Sequence, residues 1–205
     1  MPAPRGLPFY GLDHPPGVLD RVLSELADLG IFRHYSHVLD LTGGLGGPAR
    51  WLARRHGCRV TAVEGDPLVA DAAAMLTAEA HLADRVSSVV GLAEALPFAA
   101  STFTHAWRIE TSPSRGDRGA IFAEAWRVLR PGAWLAVVGA TSAELAGAGF
   151  REPAGFALEP LLEDDSTAAR LVADRVAAML GDESAEAERA ALRPPLTGWR
   201  ARKPA

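Results

Sequence analysis

The chain has 205 residues, of which 48% are hydrophobic, and a formal net charge of −4. This length allows one α/β domain with a well-buried core and is short for two, so we expect residues 1–205 to form a single domain. The weakly acidic charge and the lack of a basic stripe with interleaved aromatic residues argue against a nucleic-acid partner.

The first predicted element is a helix that follows an irregular arm. Met1 to Asp13 is rich in Pro and Gly, which predicts the arm. From Val18 to Leu29 the apolar residues recur at helical spacing, so this helix is expected to pack on the core. Arm and helix together occupy residues 1–30.

An apolar strand, a glycine loop and the start of a helix follow one another from Val38 to Arg50. Asp40 lies in the strand, and Thr42 opens a loop with glycines at positions 43, 44, 46 and 47. Glycines let the backbone pass close to a ligand, and the amides at the start of a helix point into the space left open. The pattern predicts a nucleotide-type cofactor site.

The next predicted strand, Cys58 to Val63, ends at Glu64. Glu64 follows the loop by roughly twenty residues, where a carboxylate at a strand end accepts hydrogen bonds from both hydroxyls of a ribose. Loop and acid together imply an adenosine-containing ligand.

Two classes of adenosine cofactor fit this loop. Gly44 to Ala49 satisfies the G-x-G-x-x-G/A pattern of dinucleotide-binding enzymes, so an NAD(P) oxidoreductase is one alternative. Asp40 would meet a pyrophosphate with an unfavourable negative charge, whereas it suits S-adenosylmethionine, which carries a cationic end. The helix ahead of the first strand and the short remainder of the chain also disfavour the oxidoreductase.

Strands and helices continue to alternate after Glu64. Asp66 can cap a helix that begins at Pro67 and runs to about Ala80. Further strands are predicted at Val86–Val90, Phe103–Ile109 and Trp134–Val138, with a helix at Gly119–Leu129. Strands that alternate with helices predict a parallel sheet with right-handed crossovers.

Three further segments resemble class I S-adenosylmethionine-dependent methyltransferases. Phe122 to Leu135 is similar to their E-x-x-R-V-L-K/R-P-G-G helix, turn and fifth strand. Gly91 to Phe98 resembles their G-D-A-x-x-L-P-F, and Thr102 to Trp107 resembles the strand that follows it. With the glycine loop, the resemblance covers about Val38 to Gly139. It is nearest to the small-molecule branch that includes tocopherol and sterol methyltransferases.

The resemblance implies an α/β, Rossmann-like doubly wound sheet that is mostly parallel and ends in an antiparallel strand. It divides the domain into the arm and helix, a cofactor-binding core over residues 38–139 and a substrate-side segment over residues 140–205. The last strand is expected at Leu196 to Lys203, after a helical insertion at Thr167 to Leu192.

The position of the sixth strand depends on which of two triplets precedes it. Both Ala148-Gly149-Phe150 and Ala154-Gly155-Phe156 fit the A-G-F found before this strand in the family. We prefer the second triplet, which places the strand at Ala157 to Glu163.

The resemblance also implies S-adenosylmethionine as cofactor and a small molecule as methyl acceptor. The acceptor would lie at the carboxyl end of the fourth strand, beside Trp107 and Glu110. The candidate catalytic residues are Glu110 and His105, which lies inside the strand and for which packing is the alternative role. No His/Cys cluster has metal-ligand spacing, so no metal site is predicted. The residues expected to bind the cofactor are Asp40, Thr42, Gly43, Gly44, Gly46, Glu64, Gly65, Leu92, Ala93 and Trp107.

Four positions depart from the family pattern, namely Thr42, Leu92, Thr104 and Ser114. The family has an aspartate at position 92 that accepts a hydrogen bond from the adenine amino group, which a leucine side chain does not. Backbone groups of Leu92 and Ala93 remain available to the base. These departures leave a second function open, a catalytically silent, methyltransferase-like binding or scaffold subunit.

The sequence also bears on location and assembly. No apolar run approaches the roughly 18 residues of a membrane-spanning helix, and Met1 to Gly6 carry no signal-peptide core. We therefore expect a cytoplasmic protein without a membrane partner. The single cysteine, Cys58, excludes an internal disulfide and predicts packing in a buried strand. Self-association into a homodimer is left open.

Overall fold

The computed structural model describes residues 20–110, 116–157 and 197–205. None of the helices in these ranges is long and apolar enough to span a membrane. The strands are β1 (His37–Asp40), β2 (Arg59–Glu64), β3 (Val86–Val90), β4 (Phe103–Ile109), β5 (Leu129–Val138), β6 (Arg151–Ala157) and β7 (Thr197–Arg202). The helices are α1 (Asp20–Gly30), α2 (Gly47–His56), α3 (Pro67–Glu79), α4 (Arg118–Val128) and α5 (Ser142–Gly147).

The described strands form one seven-stranded sheet in the order β3-β2-β1-β4-β5-β7-β6. Neighbours among β1 to β5 are parallel, and β7 runs antiparallel to both β5 and β6. The strand order changes direction between the parallel neighbours β1 and β4. Ligands of α/β sheets bind at such a switch point. The predicted Rossmann-like doubly wound sheet, mostly parallel with a terminal antiparallel strand, is confirmed.

Most predicted elements recur with small shifts of their ends. Strands β3 and β4 have the predicted bounds, and the strand predicted at Leu196 to Lys203 is β7. Strand β5 begins earlier than predicted, because Leu129 already pairs with Phe103. The arm predicted over Met1 to Asp13 and the insertion predicted over Thr167 to Leu192 lie outside the described residues.

The predicted position of the sixth strand is wrong. Strand β6 begins at Arg151, directly after the first A-G-F triplet, and the second triplet lies inside the strand. Gly149 follows the end of α5 with a φ of +92°, and a Cβ there would lie 3.2 Å from Trp126 Nε1. Gly155 instead pairs with Trp199 of β7. The two glycines therefore have different tertiary neighbours within the same local sequence.

Helices cover both faces of the sheet. On one face, Leu26 of α1 and Leu52 of α2 belong to a buried cluster with Val38 of β1. On the other face, Phe122 of α4 belongs to a second cluster with Leu39. Successive side chains of β1 contribute to opposite clusters because strand side chains alternate between the two faces.

The end of the chain is tied to α4 by its sole lysine. Lys203 is 6% exposed, and its Nζ donates to the carbonyl oxygens of Trp126 at 2.8 Å and Leu129 at 2.7 Å. The ammonium also lies 3.9 Å from the centroid of the Trp126 ring. Burial lowers the pKa of this group. Lys203 thus satisfies carbonyl groups at the C-terminal end of α4, where a positive charge is favourable.

Candidate functional site

The glycine loop joins β1 to α2 at the carboxyl edge of the sheet. Gly44 and Gly46 have φ values of +46° and +78°, a left-handed backbone that favours glycine. Gly43 donates to the Val63 carbonyl oxygen at 3.0 Å, and a Cβ on Gly43 would lie 2.5 Å from that oxygen. The glycine at position 43 is therefore required for packing against β2.

Asp40 is fully buried beneath this loop. Its Oδ1 accepts hydrogen bonds from the Thr42 backbone N–H at 3.0 Å and hydroxyl at 3.1 Å, whereas Oδ2 has no hydrogen-bond partner within the described residues. Burial raises the pKa of Asp40, and the Thr42 bonds and the nearby Trp107 indole N–H act against this rise. A buried carboxylate oxygen without a partner is costly unless a ligand or water donates to it.

Thr42 connects the loop to the end of β4. Besides donating to Asp40, its hydroxyl accepts a hydrogen bond from the Ile109 backbone N–H at 3.1 Å. The side chain that the sequence marked as a departure therefore links two neighbouring strand ends. Its predicted contact with the cofactor remains a prediction.

Glu64 is held by two backbone amides at the end of β2. Its Oε2 accepts from the Gly44 N–H at 2.8 Å, and its Oε1 accepts from the Asp66 N–H at 3.0 Å. Each carboxylate oxygen can accept a further hydrogen bond, so the group is oriented and retains acceptor capacity. Asp66 has the predicted capping role, because its side chain accepts from the Leu68 N–H at the start of α3.

Arg50 supports the loop from below and was missed by sequence reasoning. It is fully buried, and its guanidinium donates to the Leu45 carbonyl oxygen at 2.7 Å and to Thr77 Oγ1 at 3.1 Å. It also donates to the carbonyl oxygen of Ala73 at 3.3 Å. These bonds link the loop to α3. The sequence gives no signal of this role, because α2 is buried from Gly47 to Ala53 and shows no simple polar face.

The loop after β3 supplies the other end of the candidate site. Leu92 is 60% exposed, and its Cδ2 lies 3.4 Å from where a Cβ on Gly65 would be. Ala93 is partly buried and packs against the second core cluster. Gly65, Leu92 and Ala93 therefore lie close to Glu64, at the same corner of the sheet.

Two segments that the sequence singled out separately contact each other here. Glu124 of α4 accepts from the Leu96 N–H at 2.8 Å, and Arg127 donates to the carbonyl oxygens of Leu96 at 3.0 Å and Phe98 at 2.7 Å. Arg127 also pairs with Glu124 at 2.6 Å, and this pairing lowers the pKa of the Glu124 carboxyl. The Glu-x-x-Arg motif thus fixes the loop that follows β3.

His105 and Trp107 both have aromatic neighbours in the protein interior, and their predicted roles in catalysis and cofactor binding remain predictions. His105 pairs in register with Val38 at the start of β1, and its ring packs against Phe32 with centroids 5.1 Å apart. Burial lowers its pKa to about 4. Trp107 is 0% exposed and packs edge-on against the same phenylalanine. Alternation places both rings on the same face of the sheet, and Trp107 is in register with Asp40 at the end of β1, with its indole N–H beside that carboxyl.

Glu110, in contrast, lies at the carboxyl edge as predicted. It directly follows β4, and its Oε2 lies 2.5 Å from Nη1 of Arg108. The Arg108 side chain is 3% exposed and that of Glu110 is 14% exposed, so the pair is accessible mainly through the glutamate. Glu110 is thus the one of the two candidate catalytic residues that lies beside the switch point.

Metal ligands are not brought together in the part of the chain that the structure describes. No group of three or more His, Cys, Asp or Glu side chains there could hold a metal ion. Ser114, one of the departures noted above, lies outside the described residues.

Comparisons of sequence identify relatives of the region around the site. Residues 39–137 match the family described as a methyltransferase domain. The methyltransferase GfsG of Streptomyces halstedii is 38% identical over 100 residues, which cover 49% of this chain and 36% of that protein. A probable chloroplastic tocopherol O-methyltransferase of Oryza sativa subsp. japonica is 34% identical over 101 residues, which cover 49% of this chain and 28% of that protein. The match thus spans about a third or less of these relatives.

Comparison of structures extends the likeness to most of the chain. The crystal structure of the [4+2]-cyclase SpnF superposes with a TM-score of 0.76 at 20% identity and covers 91% of this chain and 81% of that chain. A likeness at this identity shows the fold. The four sequence motifs and the sheet order agree with the family match, so residues 39–137 resemble a class I S-adenosylmethionine-dependent methyltransferase domain.

Proposed function

We propose that this chain binds S-adenosylmethionine and catalyses methyl transfer to a small-molecule acceptor. The observation that carries the proposal is the pair of carboxylates at the carboxyl ends of β1 and β2, on either side of the glycine loop. Asp40 keeps one buried oxygen without a partner in the described residues, and Glu64 is oriented by two amides. The relatives described above support the same cofactor class.

The residues fit such a cofactor. Asp40 suits the cationic end of the ligand, and Glu64 retains acceptor capacity for the two ribose hydroxyls. When bound, the cofactor supplies a methyl group on a positively charged sulfur. The chain's own part is to align the ligand and exclude water, which accounts for a site without a clear acid–base dyad.

Glu110 is the residue that we propose on the acceptor side. It lies at the end of β4, beside β1 and the glycine loop. Its carboxylate can accept a hydrogen bond from a hydroxyl or amine on the acceptor. Its ion pair with the buried Arg108 holds the carboxylate in place. Glu110→Gln should lower kcat by about tenfold or more with little change in cofactor Kd. An unchanged kcat would remove Glu110 from the mechanism.

The acceptor class and the assembly are part of the proposal. The net charge of −4 and the named small-molecule relatives favour a small acceptor over a nucleic acid. We also propose a single domain over residues 1–205, a cytoplasmic location without a membrane partner, and a monomer or homodimer. Light scattering of the purified chain measures whether it is a monomer or a homodimer.

Calorimetric titration with S-adenosylmethionine and S-adenosylhomocysteine tests the cofactor assignment. We expect a micromolar Kd for the wild type and a loss of about tenfold or more in Glu64→Ala and Asp40→Asn, since each removes a charged hydrogen-bond partner. Asp71→Asn is the matched control, because it removes a carboxylate from an exposed part of α3. Absence of wild-type binding, or full binding by Glu64→Ala, would overturn the assignment.

A methyltransferase-like scaffold without turnover is the second candidate. It is favoured by the departures from the family pattern at Leu92, Thr104 and Ser114, of which Leu92 presents an exposed apolar side chain beside the candidate site. A screen of small acceptors with labelled cofactor distinguishes the two functions. Turnover by the isolated chain excludes the scaffold, whereas cofactor binding without turnover on any acceptor favours it. An NAD(P) oxidoreductase is disfavoured because the buried Asp40 would place a negative charge beside the pyrophosphate of a dinucleotide.

A further inference from the structure

The strand register sets the direction in which a bound nucleoside must extend. Glu64 at the end of β2 pairs with Val90 at the end of β3, and Leu92 follows two residues later. A ribose held by Glu64, with the rest of the ligand toward Asp40 on β1, directs its base away from β1 and toward the end of β3. The base then lies at the corner formed by Gly65 and Leu92.

This corner is apolar on the side of Leu92. The leucine is apolar and yet 60% exposed. A side chain on Gly65 would meet Leu92 Cδ2 at 3.4 Å, so the glycine keeps the space between them open. The exposed methyl groups offer contact area to a flat base and no hydrogen-bond acceptor.

Several polar groups around the corner, among the described residues, already have other contacts. The Glu94 carboxylate lies against Gly116, at the start of α4. Three acceptors of the described residues near the corner each hold one backbone N–H group: the Leu92 carbonyl from Ala95 at 3.0 Å, the Glu64 carbonyl from Gly91 at 2.9 Å and Asp66 Oδ1 from Leu68 at 2.9 Å.

We propose that Leu92 makes the cofactor site insensitive to the exocyclic amino group of the base. The site takes adenosyl ligands by the ribose and by the apolar face of the ring, and it accepts ligands in which the 6-amino group is absent or fully alkylated. This inference rests on the proposed binding of an adenosyl cofactor. Leu92 then determines which cofactor analogues the chain binds.

Two analogues of S-adenosylhomocysteine test the inference by calorimetry with the wild-type chain. One has purine in place of adenine and therefore lacks the amino group, and the other has an N6,N6-dimethyl group and therefore lacks N–H donors. A hydrogen bond to the amino group would be worth about two- to twelvefold in Kd. We expect less than a threefold loss of affinity for the purine analogue, and a loss of threefold or more would overturn the proposal.

Substitution of the leucine provides the second arm. Leu92→Asp introduces an acceptor on an exposed side chain, so we expect S-adenosylhomocysteine to bind severalfold more tightly than either analogue. Leu92→Met, the matched control, should remain as unselective as the wild type. A Leu92→Asp variant that folds, as judged by thermal melting, and gains no selectivity would show that position 92 does not contact the base, which would also overturn the proposal.

The outcome separates this inference from the proposed function. If the wild type binds none of the three ligands, the cofactor assignment fails and the inference fails with it. If the wild type binds S-adenosylhomocysteine and rejects both analogues, the cofactor assignment stands and the inference alone fails.

Discussion

Arg50 shows how one side chain can set the shape of a ligand loop without facing the ligand. Its guanidinium connects the Leu45 carbonyl to α3, and it lies so close to Gly46 that a Cβ there would be 2.8 Å from Nη1. The planar fork of arginine matches acceptors in several directions at once, which a lysine ammonium does not reproduce. The loop geometry therefore depends on arginine and not only on positive charge.

Arg50→Lys should weaken both cofactor binding and folding. We expect about a tenfold rise in the Kd for S-adenosylhomocysteine and a loss of about 1–3 kcal/mol in the free energy of unfolding, because two or more charged hydrogen bonds are lost. Titration and urea unfolding measure the two quantities. Arg54→Lys, on the exposed side of the same helix, serves as the control. Unchanged binding in Arg50→Lys would show that the loop keeps its shape without the guanidinium.

His105 should make stability depend on pH below neutrality. An unfolded histidine takes up a proton near pH 6.5, whereas burial lowers the pKa of folded His105 to about 4. Between these values the unfolded state binds more protons, so the free energy of unfolding falls as the pH drops from 6.5 to 4. The single group can contribute up to about 3 kcal/mol over this range.

Comparison with His105→Asn isolates this contribution. The asparagine keeps a polar atom near Thr104 Oγ1, which lies 2.9 Å from Nδ1 of the histidine, and it has no titratable group. Urea unfolding at pH 6.5 and pH 4.5 should give a smaller pH dependence for the variant. Asp40, whose raised pKa acts in the opposite direction, is common to both proteins and cancels. Equal pH dependence in both would contradict the assignment.

At the scale of elements, the loop after β3 depends on α4 for its position. Arg127→Met should lower the free energy of unfolding by about 1–3 kcal/mol, since Glu124 loses its partner and the carbonyl groups of Leu96 and Phe98 lose their donors. Cofactor affinity should fall as well, because Leu92 and Ala93 lie in the same loop. Thermal melting and titration are the measurements.

A neighbouring arginine provides the comparison for this variant. Arg130 is exposed and makes a long bond of 3.3 Å to the Ser101 carbonyl oxygen. Arg130→Met should change neither stability nor affinity by more than a few tenths of a kcal/mol. If the two variants behave alike, Arg127 has no special role in holding the loop.

Elements marked by periodicity and by strand-end acids could be predicted from the sequence. β3 and β4 were predicted with their bounds, and Asp40 and Glu64 were placed at strand ends, because a buried strand between polar residues has a distinct pattern. The sixth strand could not be placed, since two identical triplets differ only in what packs against their glycines. Contacts between distant segments, such as Arg50 with Thr77, have no local signature in one sequence.

At the scale of the whole molecule, Lys203 holds the segment after β7 against α4 through two carbonyl oxygens. Lys203→Met keeps the aliphatic stem and leaves the Trp126 and Leu129 carbonyl groups without their donor. The expected loss is about 1–3 kcal/mol in the free energy of unfolding, measured by urea denaturation. Arg202→Met changes the exposed neighbour and should cost less. A Lys203→Met protein as stable as the wild type would show that water replaces the ammonium.

The burial of Lys203 has a practical consequence for studying motion in this protein. Because it is the chain's sole lysine and its nitrogen is held between two carbonyl groups, an acylating reagent can modify this side chain only when the tail detaches from α4. The rate of acylation at this position therefore reports how often the C-terminal strand opens, by mass spectrometry and without any introduced label. Slower modification with bound cofactor would reveal that the opening of the C-terminal segment is coupled to the ligand site.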